Sequence, residues 1–270
     1  MQTRDEIGRY ASKREDRIGE KNVNSQGCIM KIVEYGNAQN IVVEFQDEYH
    51  ERVKTSYYYF INGRVRNPSI PSVVSVGINT GTYPIRDENG KINKEYSTWN
   101  NMLKRCFSEK EKERHKTYKD VHCCSEWLVY DNFYEWAISQ SNYNLWKCGG
   151  NKWHLDKDII SKGSVYSGET CCLVPDAVNT LFNKQKRHRG DLPIGVERNG
   201  SGFMARCRNP FIEEKKKYLG TYLTPKEAFQ AYKEYKEDII KQVAQIEFDK
   251  GNITIECYNA MMNYEVEITD

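Results

Sequence analysis

The chain has 270 residues, with 40 Lys and Arg against 38 Asp and Glu and a formal net charge of +2. No run approaches the ~20 apolar residues of a membrane span, and the opening MQTRDEIGRYASKRED has no apolar signal core. A membrane-spanning or exported protein is therefore not expected, and a cytoplasmic location is. At roughly 100–200 residues per domain, the length suits two or three small units.

The nine cysteines are expected to stay reduced in that compartment. No C-x-x-C occurs, so the strong spacing signal for zinc is missing. A structural zinc site assembled from distant Cys106, Cys124, Cys148 and Cys171 is the lesser alternative to small buried hydrophobes.

In chain order, residues 1–20 are charged and read as a short helix or frayed tail. CIMKIVEY, NIVVEF, RVKTSYYYF and INGRVRNP are β-branched and aromatic runs between Gly and Asn turns, which predict a small all-β module over 1–70. Residues 70–98 are rich in loop formers. STWNNMLKRCF then carries Ser and Thr at a helix start, with Trp99, Met102, Leu103 and Phe107 at helical spacing. SEWLVYDNFYEWAIS repeats the pattern through Trp127, Tyr130, Phe133, Tyr134 and Ala137. KWHLDKDII reads as a strand, SKGSVYSGET as a loop, CCLVP as a second strand and DAVNTLFNKQK as a helix. The basic run KQKRHR (184–189) follows as a linker that is able to track a groove, or simply to stay solvated.

DLPIGVERNG, GFMARCRNP and KKYLGTYLT read as three strands, followed by a helix capped by Thr224 and opened by Pro225. Ala228, Ala231, Tyr232, Tyr235 and Ile239 share one stripe of that helix and should cover one sheet face. Alternation places Phe203, Ala205 and Cys207 on one side of the middle strand, with Met204, Arg206 and Arg208 on the other. Lys216 and Tyr218 join the second set from the third strand. Such a face suits the major groove, where arginine bridges two acceptors on guanine, and its charge releases counterions from a duplex. ITIECY in 246–270, the C-terminal tail, is a candidate strand.

Residues 192–243 resemble the AP-two-like DNA-binding domain of plant ethylene-response factors. The resemblance rests on IGV after a proline, on F-x-A-x-C-R-N-P and on YLGTYLTPKEAFQAY. It implies double-stranded DNA as the partner, with Arg208 and Lys216 in contacting places; Arg198, Arg206 and Tyr218 complete the candidate DNA-binding set. Tyr218 replaces the family's tryptophan. Glu197 and Arg206 reverse the family's charges, so its target sequence does not carry over.

HLDKDIISKGSVYSGETCCLVPDAVNTLFN resembles an HNH (ββα-metal) nuclease centre. Together with W-N-N-M-L-K-R-C-F, Y-K-D-V-H-C-C-S-E-W and D-N-F-Y-E-W, it resembles phage-encoded homing-type endonucleases. The resemblance implies magnesium or manganese held by Asp156 and Asn179, with Asn183 one turn further on. Lys157 stands where the family carries its base histidine. His154 is the alternative base, sharing with Asp158 the strand face of Asp156. The N-terminal β module is similar to small β-barrel repeats ahead of such nucleases, and its Lys31, Arg52, Lys54, Arg64 and Arg66 are either phosphate contacts or a solvated face.

The expected protein is thus α+β and multidomain: a β-barrel-like module (1–70), an HNH-like ββα domain with preceding helices (71–190), and an AP-two-like three-stranded sheet plus helix (191–245). The expected function is a metal-dependent, site-directed DNA endonuclease in a bacterial host cytoplasm. The alternative is a degenerate nuclease that acts by binding, as a DNA-binding regulator or as an oligomeric inhibitor of a host anti-phage defence complex. The Tyr57-Tyr58-Tyr59 run favours that alternative through its aromatic content, unless alternate residues of the run face a core.

Overall fold

The computed structural model describes residues 17–183, 190–212 and 216–268, so KQKRHR lies outside the described residues. Helices and strands are mixed, as expected of an α+β chain. The chain divides into two units, Met1–Tyr83 and Pro84–Asp270. No helix among the described residues is long and apolar enough to cross a membrane.

In the first unit, β1 (Lys21–Val23), β2 (Ile29–Asn37), β3 (Asn40–Phe45) and β4 (Arg52–Thr55) pair antiparallel in sequence order. Period-two burial puts Met30, Ile32, Ile41, Val43 and Phe45 on the core face, as a half-buried sheet requires. Among the described residues the expected barrel is not found: β1 has only three residues, and it does not pair with β4 to close the sheet.

RVKTSYYYF is not one strand either. Ser56 caps a short helix, α1 (Tyr57–Ile61), by accepting from the Tyr59 N–H. Helical rather than alternating geometry buries Phe60 and turns Tyr58 and Tyr59 outward, while Tyr57 donates from its hydroxyl to Glu20. INGRVRNP forms no strand beyond Ile61.

The second unit opens with α2 (Lys94–Phe107). It starts a turn before the expected Ser and Thr, with Asn93 at its N-cap position but without a side-chain cap bond. α3 (Glu109–Arg114) and β5 (His122–Cys123) lead to α4 (Tyr130–Ser139) and α5 (Tyr143–Cys148). Trp99, Trp127, Tyr130 and Phe133 are buried, which is the packing role their helical spacing predicts, and Trp146 of α5 is buried as well. Trp99 donates from its indole to the Trp127 carbonyl at 2.7 Å, satisfying the polar tip of a buried aromatic.

Next come β6 (Trp153–Asp156), α6 (Asp158–Ser161), β7 (Val165–Tyr166), β8 (Cys172–Pro175) and α7 (Asp176–Asn179). β6 pairs antiparallel with β8, and β7 parallel with β5. KWHLDKDII is therefore a strand only as far as Asp156. The expected helix over DAVNTLFN is a single turn of α-helix followed by a 3-10 turn, Thr180–Phe182.

β9 (Val196–Asn199), β10 (Gly202–Arg208) and β11 (Lys216–Tyr222) form an antiparallel sheet with β10 in the middle. α8 (Pro225–Asp249) lies on it. Thr224 and Glu227 make a reciprocal capping box ahead of Pro225, which fixes where this helix begins.

ITIECY is helical: Thr254 caps α9 (Ile255–Met262), and Ile253, Cys257 and Met261 are buried at a spacing of four. The strand reading followed the β-branched residues, but burial follows the helical period. α9 and Val266 join one core with α8, the β9–β11 sheet and the residues Ile159, Cys172, Val174, Val178 and Leu181.

Gly195 enters β9 at φ +76° with the Tyr232 ring against its Cα. An added methyl group meets that ring and also occupies left-handed backbone space. The two terms, ~1–2 kcal/mol for the backbone and ~1–3 kcal/mol for overpacking, predict that Gly195→Ala is destabilised by ~2–5 kcal/mol. Urea unfolding of the variant checks this.

Candidate functional site

Two surfaces of the second unit gather the residues singled out by the sequence. The first is the sheet face away from α8. Cross-strand partners share a face, and Arg206 pairs with Tyr218 while Arg208 pairs with Lys216. Ala205 and Cys207 are buried under α8, whereas Arg206, Arg208, Lys216 and Tyr218 are all exposed. Between Ala205 and Arg206 the register slips by one residue. This β-bulge at Leu219 keeps Tyr218 opposite Arg206, despite the uninterrupted alternation of KKYLGTY.

Glu197 shares this face through its pairing with Met204. It stands 4.0 Å from the Arg206 guanidinium, with both side chains about half exposed. At that exposure the pair is weak, so Arg206 remains available to an incoming anion. The Tyr218 hydroxyl is 3.0 Å from that of Thr221, which orients the ring.

Arg198 does not belong to this set. It pairs with Phe203, which puts it on the opposite face, and its guanidinium lies 5.5 Å from the Phe203 ring. An odd-numbered offset across the turn decides this: residues 198 and 203 are opposite one another, and 203 faces the helix.

The second surface is a cleft of about 1190 Å³. His154, Asp156, Lys157, Asn179 and Asn183 all line it, so the five residues taken from the nuclease resemblance come to one place. β6 carries His154 and Asp156 on the same side, and α7 leaves β8 directly at Pro175.

Asp156 is 8% exposed. Its Oδ1 accepts the N–H groups of Asp158 (2.8 Å) and Ile159 (3.1 Å), capping α6. Among the described residues nothing donates to Oδ2. Burial raises the Asp156 pKa, against the pull of the two N–H groups. The proton is therefore bound more tightly in the folded chain, and the stability that this supplies at low pH is lost as pH rises through the folded value.

Asp156→Asn keeps an acceptor and removes the buried charge, so it is expected to be at least as stable as wild type at pH 7. Asp156→Ala orphans two N–H groups and is expected to lose about 0.5–2 kcal/mol. Urea melts of both at pH 4 and pH 7 test the contrast.

Lys157 Nζ is committed to two contacts: it donates to Asp158 Oδ1 at 2.6 Å and to the Gly163 carbonyl at 3.0 Å. Asp158 itself opens α6 instead of sharing a strand face with Asp156. His154 has a different environment: its Nε2 lies 3.0 Å from Asp176 Oδ1. With the proton on Nε2, that bond leaves Nδ1 as an acceptor. Asp176 was legible only as the first residue of a helix, because contacts 22 residues apart leave no local signal.

For a divalent ion, the donors singled out by the sequence are the Asp156 carboxylate and the amide oxygens of Asn179 and Asn183; Asp158 also lines the cleft, tied to Lys157. Among the described residues no group of three or more His, Cys, Asp or Glu converges. Carboxylate and amide oxygens are the donor type that magnesium takes, and these three do not form a closed cage. The four cysteines considered for zinc do not converge either. Cys106 and Cys171 are buried, and burial pushes both thiols up to about 12, while Cys148 is exposed.

Comparison with protein-family models, curated proteins and solved structures found no match for this chain.

Proposed function

We propose that this chain is a DNA-binding protein of the AP-two-like kind that presents the β9–β11 sheet to duplex DNA, and that the adjoining cleft is an HNH-like, homing-type endonuclease centre. The observation that carries the binding reading is the exposed quartet Arg206, Arg208, Lys216 and Tyr218 on the side of the sheet that α8 leaves uncovered. Arginines at that spacing match guanine edges in the major groove, and the lysine matches a phosphate.

In the cleft, Asp176 holds the His154 imidazole so that its other nitrogen takes a proton from water, the role of a general base. Asp156, Asn179 and Asn183 would hold magnesium or manganese, which when bound supplies Lewis-acid stabilisation of a phosphodiester. The charge of Lys157 favours the bound phosphate without removing a proton. A second reading, a nuclease-derived binder that does not cut, is favoured by the capping duty of Asp156 and by its being the only carboxylate in the expected donor set.

The test is duplex binding followed by fluorescence anisotropy across ionic strength, together with nicking assays in magnesium and manganese. A log affinity that falls linearly with log salt supports the interface. Flat or absent binding at low salt removes it. Binding without nicking in either metal leaves the second reading.

A further inference from the structure

The largest feature of the cleft that the expected site does not use is a cation. Arg105 projects from α2 into the same cavity as His154 and Asp156. It stands between Leu103 and Cys106, both buried, and is itself half-buried. Its Nη1 donates to the Tyr166 hydroxyl at 3.1 Å, and its Cζ lies 5.7 Å from the centre of the Tyr118 ring.

Among the described residues Arg105 makes no ion pair. The neighbouring lysine differs, because Lys157 has Asp158 as its partner. Burial disfavours the guanidinium charge, but the phenols of Tyr166 and Tyr118 outweigh it and the pKa is raised. Burial also pushes the Tyr166 phenol up to about 12, so at neutral pH it remains a neutral partner.

A guanidinium has five N–H donors in a planar fork, and one hydrogen bond to a phenol leaves most of them unused. Partial removal of a charge from water without a counter-ion is unfavourable, and a bidentate oxyanion restores what was lost. Lys116 at the cleft wall is exposed and likewise has no carboxylate partner among the described residues.

We propose that Arg105 is the centre of an anion site that clamps a phosphate group of the nucleic-acid strand entering the cleft, with Tyr166 and Tyr118 as its positioning residues. The nucleic-acid part of this inference rests on the proposed function. The anion site itself rests on Arg105 and its surroundings.

The experiment therefore has two arms on the full chain in EDTA. In the first, inorganic pyrophosphate is titrated while the melting temperature is followed. Wild type is expected to gain stability, whereas Arg105→Met, which keeps the apolar stem, is expected to gain none and Arg105→Lys only part. Equal gains in all three proteins, or none in wild type, overturn the anion site.

In the second arm, a fluorescein-labelled dT12 strand is bound across ionic strength. Arg105→Met is expected to weaken binding about tenfold and to reduce the salt slope by roughly 0.7, the value for one phosphate of a single strand. Tyr166→Phe is expected to weaken binding less, with the salt slope unchanged. An unchanged slope in Arg105→Met overturns the strand assignment. The Arg206→Ala/Arg208→Ala double variant serves as the control: it tests duplex binding on the sheet and leaves the pyrophosphate response intact, so failure of either reading is seen separately.

Discussion

Replacing Arg206 and Arg208 together by alanine is expected to weaken duplex binding by about 30-fold to 25,000-fold. Each bidentate arginine–guanine contact is worth ~1–3 kcal/mol, and the two side chains stand on one strand with a single residue between them. The fold should tolerate the change, because both side chains are exposed while the intervening Cys207 carries the packing. Two further variants separate kinds of contact. Lys216→Ala should weaken all sequences about equally and lower the salt slope by ~1, as a phosphate contact does. Arg198→Ala, on the other face, should have little effect on duplex binding. Anisotropy with a randomised duplex pool, read at several salt concentrations, distinguishes these outcomes. A large loss in Arg198→Ala with none in the double variant would reverse the assignment of the binding face.

The second large effect is expected at His154. If the cleft cuts, His154→Ala should slow nicking by ~10²–10⁴, the range for loss of a positioned general base. Asp176→Asn should lose about 10–100-fold, as orienting carboxylates do. Lys157→Ala should retain most of the rate while lowering stability, since it removes the tie between Asp158 and Gly163. Single-turnover nicking at saturating protein keeps binding out of the comparison. A Lys157→Ala variant that is dead beside an active His154→Ala variant would show that the ammonium, not the imidazole, moves the proton.

The sheet module was the most legible part of the chain, because period two and period 3.6 are each written over enough residues to be counted. Ala205 and Cys207 inward, Arg206 and Arg208 outward, and the Thr224-Pro225 helix start all follow from local pattern. The convergence of Asp156, Asn179 and Asn183 on one cleft was expected from resemblance alone. Three features lay beyond local pattern. The His154–Asp176 bond links residues on different elements. The side of the sheet taken by Arg198 depends on the register of a turn. Arg105 lies within the buried stripe of α2, and a charged residue there between Leu103 and Cys106 was the one available sign. The short segments misled most. Tyr57–Ile61 and the run ITIECY (253–258) hold residues that favour strands, yet Ser56 and Thr254 cap helices there.

The core that joins Val174 and Val178 to Ala205, Ala228 and Met261 has a further implication. A fragment cut at either side of residues 191–245 would expose the apolar half of that core, so the sheet is not a detachable reader. It is built into the same solid body as the cleft. A duplex seated on the sheet and a phosphate gripped at Arg105 would then be separated by a constant distance along the DNA, and the protein would act as a ruler.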